Sequence, residues 1–218
     1  MEFTHLHVHT EYSLLDGSNK IKEYVARVKE LGMDSAAITD HGVMYGVVDF
    51  YRAAREAGIN PILGCEVYVA PGSRFEKNSR ESVSYYHLVL LAENNEGYQN
   101  LIKLVSLGYT EGFYYKPRVD EELLRKYHKG LIASSACLAG PVPRMLLTGS
   151  YDMAKDMALK YLDIFGEGNF FLELQNHGIP EQKTVNAGLI KMSEETGIPL
   201  ICTNDVHYIR QEDWEAHD

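Results

Sequence analysis

Histidines at alternate positions open the chain, with His5, His7 and His9 inside the first ten residues. Side chains two positions apart in an extended strand project from the same face, so these three imidazoles would share one side. Neutral imidazole is the commonest metal ligand among side chains. For His5 alone, a hydrogen-bonded structural role remains open, whereas the His7 and His9 pair at the end of the segment predicts metal ligation.

The same alternation recurs near the other end of the chain, where an apolar run leads into Asp205 and His207. Between these ends, apolar runs contain or lead into other side chains that can bind metal, namely Asp40, His41, Glu66, His87 and Cys137. A single polar residue at a strand end often only caps a turn, and we favour that interpretation for Asp40. For the whole set it is a poor explanation, because burying several ionisable groups together without a cation costs heavily. The sequence therefore predicts a metal cluster.

Seven apolar runs could be the strands that position these side chains. They are residues 3–9, 35–40, 61–69, 86–92, 131–136, 170–175 and 199–205. Five amphipathic helical stretches alternate with them, at residues 20–31, 47–57, 96–107, 152–165 and 180–196. This alternation is typical of a parallel sheet with crossover helices, either a closed barrel or an open doubly wound sheet. Both architectures place reactive residues at the carboxyl ends of the strands.

The length and composition predict one globular domain over residues 1–218, with 45% hydrophobic and 24% charged residues. No apolar run approaches the ~18 residues that a membrane span needs, and the first residues lack the features of a signal peptide. We therefore expect a cytoplasmic protein with no membrane partner. A net charge of -10 argues against nucleic-acid binding by a broad basic surface. Bound divalent cations could still make a local site positive.

Three cysteines, Cys65, Cys137 and Cys202, are an odd number at spacings that fit neither a disulfide framework nor a CxxC zinc site. We expect reduced thiols, any one of which could bind metal. Cys65 and Cys202 fall inside apolar runs and are interpreted as buried thiols. Cys137 follows an apolar run and is the stronger candidate for a ligand.

Four short motifs resemble those of the PHP (polymerase and histidinol phosphatase) superfamily, at residues 7–9, 39–42, 64–66 and 204–207. Three further segments are similar to the PHP domains of bacterial replicative DNA polymerases, at residues 11–17, 87–92 and 112–118. The resemblance covers essentially the whole chain. It implies an α/β fold, a distorted seven-stranded TIM-like (β/α) barrel. Because the last predicted strand stands close to Asp218, we also expect the N-terminal module of a longer polymerase chain.

The resemblance further implies two or three divalent ions held by nine ligands. Carried over position by position, the ligands are His7, His9, Asp16, His41, Glu66, His87, Cys137, Asp205 and His207. Inactive family members have lost several of these positions, and this sequence retains side chains able to bind metal at all nine. Mixed imidazole, carboxylate and thiolate ligands favour zinc, with manganese or iron as alternatives. Asp205, Glu66 and His207 are assigned catalytic roles, with Glu66 as the bridge between ions.

Three functions follow from this resemblance. The first is a metal-dependent 3′-to-5′ exonuclease that proofreads within a DNA-directed DNA polymerase. Its partners would be a DNA 3′ end, on a single strand or a primer, together with the remaining polymerase domains in cis and other replisome subunits. The second is a phosphomonoesterase of the histidinol phosphatase kind, which a closed pocket would favour over an open groove. The third is a catalytically silent, metal-stabilised scaffold that supports the polymerase and docks a separate proofreading subunit, which missing ligands would favour.

Two further features near the predicted site remain open. Residues 113–118 interleave aromatic and basic side chains, as surfaces that stack single-stranded bases do. Loop aromatics more often pack against their own domain, and we favour that interpretation over contact with nucleic acid. His177, which follows a predicted strand, is a candidate substrate contact near the rim of the barrel.

Overall fold

Seven strands form one curled sheet in the computed structural model, which describes residues 3–77 and 85–217. The strands are β1 (Ser35–Ile38), β2 (Asn60–Val69), β3 (Tyr86–Ala92), β4 (Arg118–Val119), β5 (Leu131–Ser134), β6 (Phe170–Leu174) and β7 (Leu200–Cys202). Their spatial order is β1-β2-β3-β5-β6-β7, and the two-residue β4 pairs beside β2. The short β4 was not predicted from the sequence.

The segment predicted as the first strand closes the sheet without being a regular strand itself. One isolated parallel bridge joins Val8 to Val206. The His9 backbone N–H donates to the Val206 carbonyl at 2.8 Å, and the Thr39 N–H donates to the Val8 carbonyl at 2.9 Å. The segment therefore lies between the continuation of β7 and β1. This closure confirms the expected distorted TIM-like barrel.

The direction of one strand differs from the prediction of a parallel sheet. β3 runs antiparallel to both of its neighbours, β2 and β5, whereas the β1–β2, β5–β6 and β6–β7 pairs are parallel. In the β2–β3 register, Tyr68 near the end of β2 faces His87 near the start of β3. The reversal therefore brings the beginning of β3 to the rim at which its neighbours end. His87 reaches that rim because of this antiparallel pairing.

Eight α-helices are present in the described part of the chain. They are α1 (Ile21–Glu30), α2 (Val47–Ala57), α3 (Asn95–Thr110), α4 (Glu121–Tyr127), α5 (Pro141–Leu147), α6 (Tyr151–Phe165), α7 (Pro180–Thr196) and α8 (Trp214–His217). The prediction matched α2 and α7 to the residue and placed α1, α3 and α6 within three residues at each end. It missed α4, α5 and α8, because seven residues or fewer are too short to display a helical apolar period. No helix of the described residues is long and apolar enough to cross a bilayer.

The core lies mainly between the outer face of the sheet and the surrounding helices. One cluster joins β2, β3, β5 and β6 to α3, α6 and α7, and it includes the fully buried Leu90, Leu104 and Phe170. A second cluster joins α1 and α2 to β1 through side chains such as Phe50. Burying such a side chain contributes about 1.5–3 kcal/mol relative to exposure. These layers fix the strand ends that carry the site.

Candidate metal centre

Glu66 lies at the centre of a group of ionisable side chains on the rim. Its fully buried carboxylate places Oε1 3.2 Å from His7 Nε2 and 3.0 Å from His87 Nδ1. The other oxygen, Oε2, lies 2.5 Å from His41 Nδ1 and 3.6 Å from His9 Nε2. One carboxylate thus reaches four imidazoles, two with each oxygen. This is the placement that a bridging ligand requires.

Asp205 approaches the same pair of histidines from the continuation of β7. Its Oδ1 lies 3.2 Å from both His7 Nε2 and His9 Nε2. The Asp205 backbone has a φ of 47°, in the left-handed region that non-glycine residues seldom adopt. Backbone strain of this kind is concentrated at functional sites, where the surrounding structure holds it in place. The strained turn aims the carboxylate into the rim.

Asp16, His207 and Cys137 complete the group at its outer edge. Asp16 Oδ2 lies 2.7 Å from His41 Nε2 and 3.5 Å from His207 Nε2. Cys137 Sγ lies 3.9 Å from Glu66 Oε1. All nine residues that the resemblance proposed as ligands are therefore linked by contacts of 3.9 Å or less. Their role as ligands remains a prediction that the geometry supports.

Within the described residues, five buried polar atoms of this rim make no hydrogen bond of normal geometry, although they lie 2.5 to 3.6 Å from one another. They are His7 Nε2, His9 Nε2, His41 Nδ1, Glu66 Oε2 and Asp205 Oδ1. Buried polar atoms are normally satisfied, so a cluster of orphans that face one another requires a cause. Tetrahedral zinc with bonds of about 2.0–2.2 Å would separate its ligand atoms by roughly 3.3–3.6 Å. The contacts of Asp205 and Glu66 with His7 and His9, at 3.2 to 3.6 Å, fit shared divalent ions.

In the described part of the chain, three sets of side chains bring their ligand atoms within 4.8 Å of one another. The sets are His7, His9 and Glu66; His9, His41 and His207; and His41, Glu66 and His87. His9, His41 and Glu66 each belong to two sets. This arrangement suits neighbouring ions that share ligands.

A fully buried glutamate that the sequence analysis missed orients His7. Glu173 Oε1 accepts from His7 Nδ1 at 2.7 Å, from Thr203 Oγ1 at 2.5 Å and from Gln175 Nε2 at 3.0 Å. Its other oxygen accepts from the Ser134 hydroxyl. A proton held on Nδ1 leaves the lone pair of His7 Nε2 facing the site, as carboxylate–histidine–metal groupings do. An acidic residue inside the apolar strand β6 was the sequence signal for this role.

Ser13 orients the His9 ring as Glu173 orients the His7 ring. The His9 Nδ1 lies 3.0 Å from Ser13 Oγ, and that hydroxyl donates to Asp40 Oδ1 at 2.7 Å. The Ser13 oxygen can therefore accept the proton of Nδ1, which leaves His9 Nε2 bare. Asp40 also accepts from the Thr10 backbone N–H at 2.6 Å. Asp40 thus holds the turn at residues 10–13 across the barrel, whereas the sequence had suggested a cap for the turn at its own strand end.

Burial lowers the pKa of the rim histidines His7 and His9, whereas the charges of nearby carboxylates raise it. Burial lowers the pKa of His9 to about 4, which keeps its ring neutral at pH 7. Burial also lowers the pKa of His7, but the charges of Asp205, Glu173 and Glu66 outweigh it and raise the pKa well above 6.5. These carboxylates therefore favour positive charge beside His7, which a divalent cation bound at the rim would supply.

Two open clefts flank the rim. One, of about 560 Å³, lies between the loop that carries Asp16 and the loop that carries Tyr115. The other, of about 580 Å³, is lined by Asp205, His207, His5 and His177, among others. His177 is thus near the rim, as expected, although its Nε2 donates to the Asn204 carbonyl at 2.8 Å. Substrate could approach from either side.

The three cysteines differ in how far they are buried. Cys65 is fully buried, as expected, and its thiol donates to the Asp40 carbonyl at 3.3 Å. Cys137 is partly buried beside Glu66 and His87. Cys202 is exposed, so its interpretation as a buried thiol was wrong. The short β7 leaves that side chain on the surface.

A curled α/β barrel with histidines, carboxylates and a thiol on one rim defines a class of barrels that can hold divalent metal ions. The sequence model of the PHP domain family matches residues 5–177. The chain belongs to the PHP domain family, which confirms the resemblance of its motifs.

Two named proteins align with the whole of this chain. It is 49% identical over 219 residues to DNA polymerase III subunit alpha of Treponema pallidum, covering 100% of this chain and 19% of the relative. It is 46% identical over 222 residues to DNA polymerase III subunit alpha of Thermus aquaticus, covering 100% of this chain and 18% of the relative. The chain thus spans about a fifth of the length of these curated relatives.

Solved structures of low sequence identity share the fold. An amidohydrolase from Chromobacterium violaceum matches with a TM-score of 0.57 at 14% identity, over 94% of this chain and 87% of that chain. A two-domain protein from Bacteroides vulgatus, containing a predicted PHP-like metal-dependent phosphoesterase, matches with a TM-score of 0.55 at 15% identity. That match covers 99% of this chain and 55% of the other. These likenesses support the barrel.

Proposed function

We propose that the chain is a metal-dependent phosphoesterase domain that removes nucleotides from a DNA 3′ end, as a proofreading exonuclease within a longer replicative polymerase. The observation that carries this proposal is the set of five orphaned, buried ligand atoms that face one another on an open rim. Relatives named DNA polymerase III subunit alpha supply the polymerase context. The proposed setting is the cytoplasm, with the other polymerase domains in cis and replisome subunits as partners.

The side chains of the rim hold the reacting groups in place. Glu66 contacts His7 with one oxygen and His41 with the other. Asp205 contributes a carboxylate to the cleft of about 580 Å³. His207 lies between that cleft and Asp16, where it can bind a phosphoryl oxygen or an ion. Glu173 holds the His7 ring and Ser13 holds the His9 ring, so little reorganisation is needed when substrate arrives.

Divalent ions would supply the charge that stabilises a phosphoryl group and activates water for attack. The four acidic ligands contribute about -4 when Cys137 is a thiolate, and three divalent ions contribute about +6. The loaded rim would then carry about two positive charges inside a chain whose net charge is -10. A local positive site of this kind attracts a phosphodiester without a basic surface.

The shape of the site favours a polymeric substrate over a small phosphomonoester. A phosphatase for a small substrate encloses it, whereas two clefts here open on either side of the rim. A strand could lie along one cleft while its scissile phosphate reaches the ions. The histidinol phosphatase alternative therefore ranks second.

A silent scaffold is the remaining alternative, and Asp205→Asn separates it from an active nuclease. The substitution preserves shape but removes the charge that helps hold the metal, so hydrolysis should fall by about 100-fold or more. Asp163→Asn is the matched control, because Asp163 is 70% exposed at the surface and pairs with Arg125. Metal content and the hydrolysis of single-stranded DNA and of phosphomonoesters are measured in the same fractions, at low salt.

Three results are informative. Cleavage from the 3′ end that is lost in Asp205→Asn and kept in Asp163→Asn supports the proposal. Equal cleavage by all three proteins assigns the activity to another site or a contaminant. Full metal content without cleavage of either substrate, including in the full-length protein that carries this domain, supports the scaffold.

A further inference from the structure

Aromatic side chains dominate the cleft on the Asp16 side of the rim. Of the fifteen described residues that line it, seven are tyrosine or phenylalanine, although aromatic residues make up only 11% of the chain. They are Tyr12, Tyr45, Tyr68, Tyr85, Tyr109, Phe113 and Tyr115. We refer to this surface, defined by those seven residues, as the aromatic cleft. Such a concentration of rings indicates a surface for flat ligands.

Several of these rings face solvent and are not used to pack the core. Tyr115 is 74% exposed, Tyr45 is 63% exposed and Phe113 is 49% exposed. The Tyr109 and Phe113 rings stack with their centroids 6.2 Å apart, and Tyr114 supports Tyr115 edge-on at 4.6 Å. Exposed rings held by neighbouring rings offer flat apolar faces at a low entropic cost. The expectation that this segment packs only against its own domain is therefore too simple.

The floor of the aromatic cleft belongs to the candidate metal centre. Asp16, His41 and His87 line the cleft together with its aromatic residues. A phosphodiester seated on the rim would therefore place the adjoining nucleotides among the rings. Leu14 and Leu15, which are 76% and 108% exposed, add an apolar edge to the same cleft.

The charge around the aromatic cleft does not suit binding through many phosphates. Among its lining residues in the described part of the chain, Lys116 is the single lysine or arginine. Its Nζ lies 5.3 Å from the centroid of the Tyr68 ring. Proteins that bind single strands combine a positive groove with aromatic rings on which bases stack. With one lysine in a chain of net charge -10, stacking must provide most of the affinity.

We propose that the aromatic cleft binds the unpaired bases of a single strand by stacking, and thereby selects single-stranded over duplex ends. This inference rests on the proposed function for the position of the scissile phosphate. In a duplex, the bases are held in pairs, internal bases are stacked on both faces and a terminal base is stacked on one, so they are less accessible to the rings of Tyr115 and Phe113. A frayed or mismatched 3′ end presents free faces. The cleft thus favours ends that need correction.

The test measures the affinity of the zinc-loaded chain for two fluorescent oligonucleotides of about ten nucleotides. One carries thymine bases and the other is abasic, and phosphorothioate linkages slow the cleavage of both. The variants are Tyr115→Ala and Phe113→Ala, with Tyr115→Phe as the conservative replacement. Tyr51→Ala is the matched control, because Tyr51 is 48% exposed on α2 and lines a different surface. Circular dichroism and metal content confirm that each variant is folded and loaded.

The parent chain should bind the thymine strand at least about tenfold more tightly than the abasic strand, as expected for one or two stacked bases. Tyr115→Ala and Phe113→Ala should each weaken thymine-strand binding by about tenfold. Both should leave abasic binding unchanged, and Tyr115→Phe and Tyr51→Ala should bind like the parent. Equal affinity for the two strands, or alanine variants that bind the thymine strand like the parent, would overturn the proposal.

Cleavage of unmodified strands is assayed in parallel, so that the two proposals can fail separately. Base-dependent binding that these variants weaken, with no cleavage, retains the stacking surface and removes the proposed hydrolysis. Cleavage by the parent without any base-dependent binding retains the hydrolysis and removes the stacking surface.

Discussion

Three rim histidines have one ring nitrogen held by a neighbour and the other directed into the site. Nδ1 of His7 contacts Glu173, Nδ1 of His9 contacts Ser13, and Nδ1 of His207 lies 2.8 Å from the Asp205 carbonyl. Each contact favours the tautomer in which Nε2 can serve as a metal ligand. At the scale of single residues, two side chains and a backbone carbonyl behind the ligand atoms therefore preorganise the proposed site.

Glu173→Gln tests this preorganisation directly. The amide keeps the volume of the side chain but has one oxygen, whereas the carboxylate accepts from four donors. The affinity for zinc should fall by about 10- to 100-fold, because His7 is no longer fixed in its ligating tautomer. Competition with a chromophoric chelator measures that affinity. Parental affinity in a folded Glu173→Gln chain would show that Glu173 serves packing alone.

Cys137 should be protected from thiol reagents while metal is bound. In the metal-free chain, burial and the nearby charge of Glu66 raise the pKa of the Cys137 thiol well above 9. The thiolate is the reactive form, so labelling of the chelated chain should increase as the pH rises towards that pKa. The metal-loaded chain should stay unlabelled at Cys137 over the same range, because the sulfur is coordinated.

The labelling experiment uses a Cys202→Ser background, since Cys202 is exposed and would react in every condition. Cys65 is fully buried and serves as the internal unreactive thiol. Mass spectrometry of peptides assigns the modified position. Equal labelling of Cys137 with and without chelator, at every pH, would remove it from the ligand set.

At the scale of elements, the loop that carries Asp16 depends on a glycine. A Cβ on Gly17 would lie 2.2 Å from the Thr10 carbonyl oxygen, a backbone atom that cannot move aside alone. Gly17→Ala should shift the loop, separate Asp16 from His41 and reduce the metal content by about one ion per chain. It should also cost about 1–3 kcal/mol of stability through overpacking.

Gly72→Ala is the matched control for that substitution. Its added Cβ would meet Glu76 Oε2 at 3.0 Å, the end of a flexible side chain. Elemental analysis and urea unfolding are measured on both variants. A Gly17→Ala chain with the parental metal content would show that Asp16 does not depend on this loop conformation.

The periodicity of apolar residues predicted most helices and strands, but not how all of the strands pair. Alternating apolar residues locate a strand and say nothing of its direction, so the antiparallel β3 was not foreseen. The reversal is nevertheless what brings His87 to Glu66. The segment at residues 3–9 was predicted as a strand from its pattern, yet only one bridge forms there. Its backbone bonds to both neighbours still place His7 and His9 as expected.

Residues of the site were predictable where a motif carried them. The positions of His41 and Glu66 were visible because ionisable residues follow apolar runs. Glu173 and Ser13 were not found, because their roles depend on which side chains face them across the barrel. The aromatic cleft combines loops far apart in sequence, so only its segment at residues 113–118 was noticed.

For the whole molecule, the rim links metal binding to stability. The Glu66 carboxylate and the Oδ1 atom of Asp205 lie buried beside histidines with several ligand atoms unsatisfied, so ion binding should favour the folded state. At a free metal concentration of about 100 times Kd, one site adds about 2.7 kcal/mol. That corresponds to a rise in Tm of roughly 5–11 °C for a chain of this size. Thermal unfolding with metal and with excess chelator measures it, and identical Tm values in both would contradict the linkage.

The most direct test of the central claim is the number and position of bound ions. The chain, purified without a polyhistidine tag and saturated with zinc or manganese, is analysed for metal content and by anomalous scattering from crystals. We expect two or three ions per chain, all within the rim formed by the nine proposed ligands. At least one ion should contact Glu66, which lies between the histidine sets. No bound ion under metal-replete conditions, or ions only at surface sites away from Glu66 and Asp205, would contradict the account.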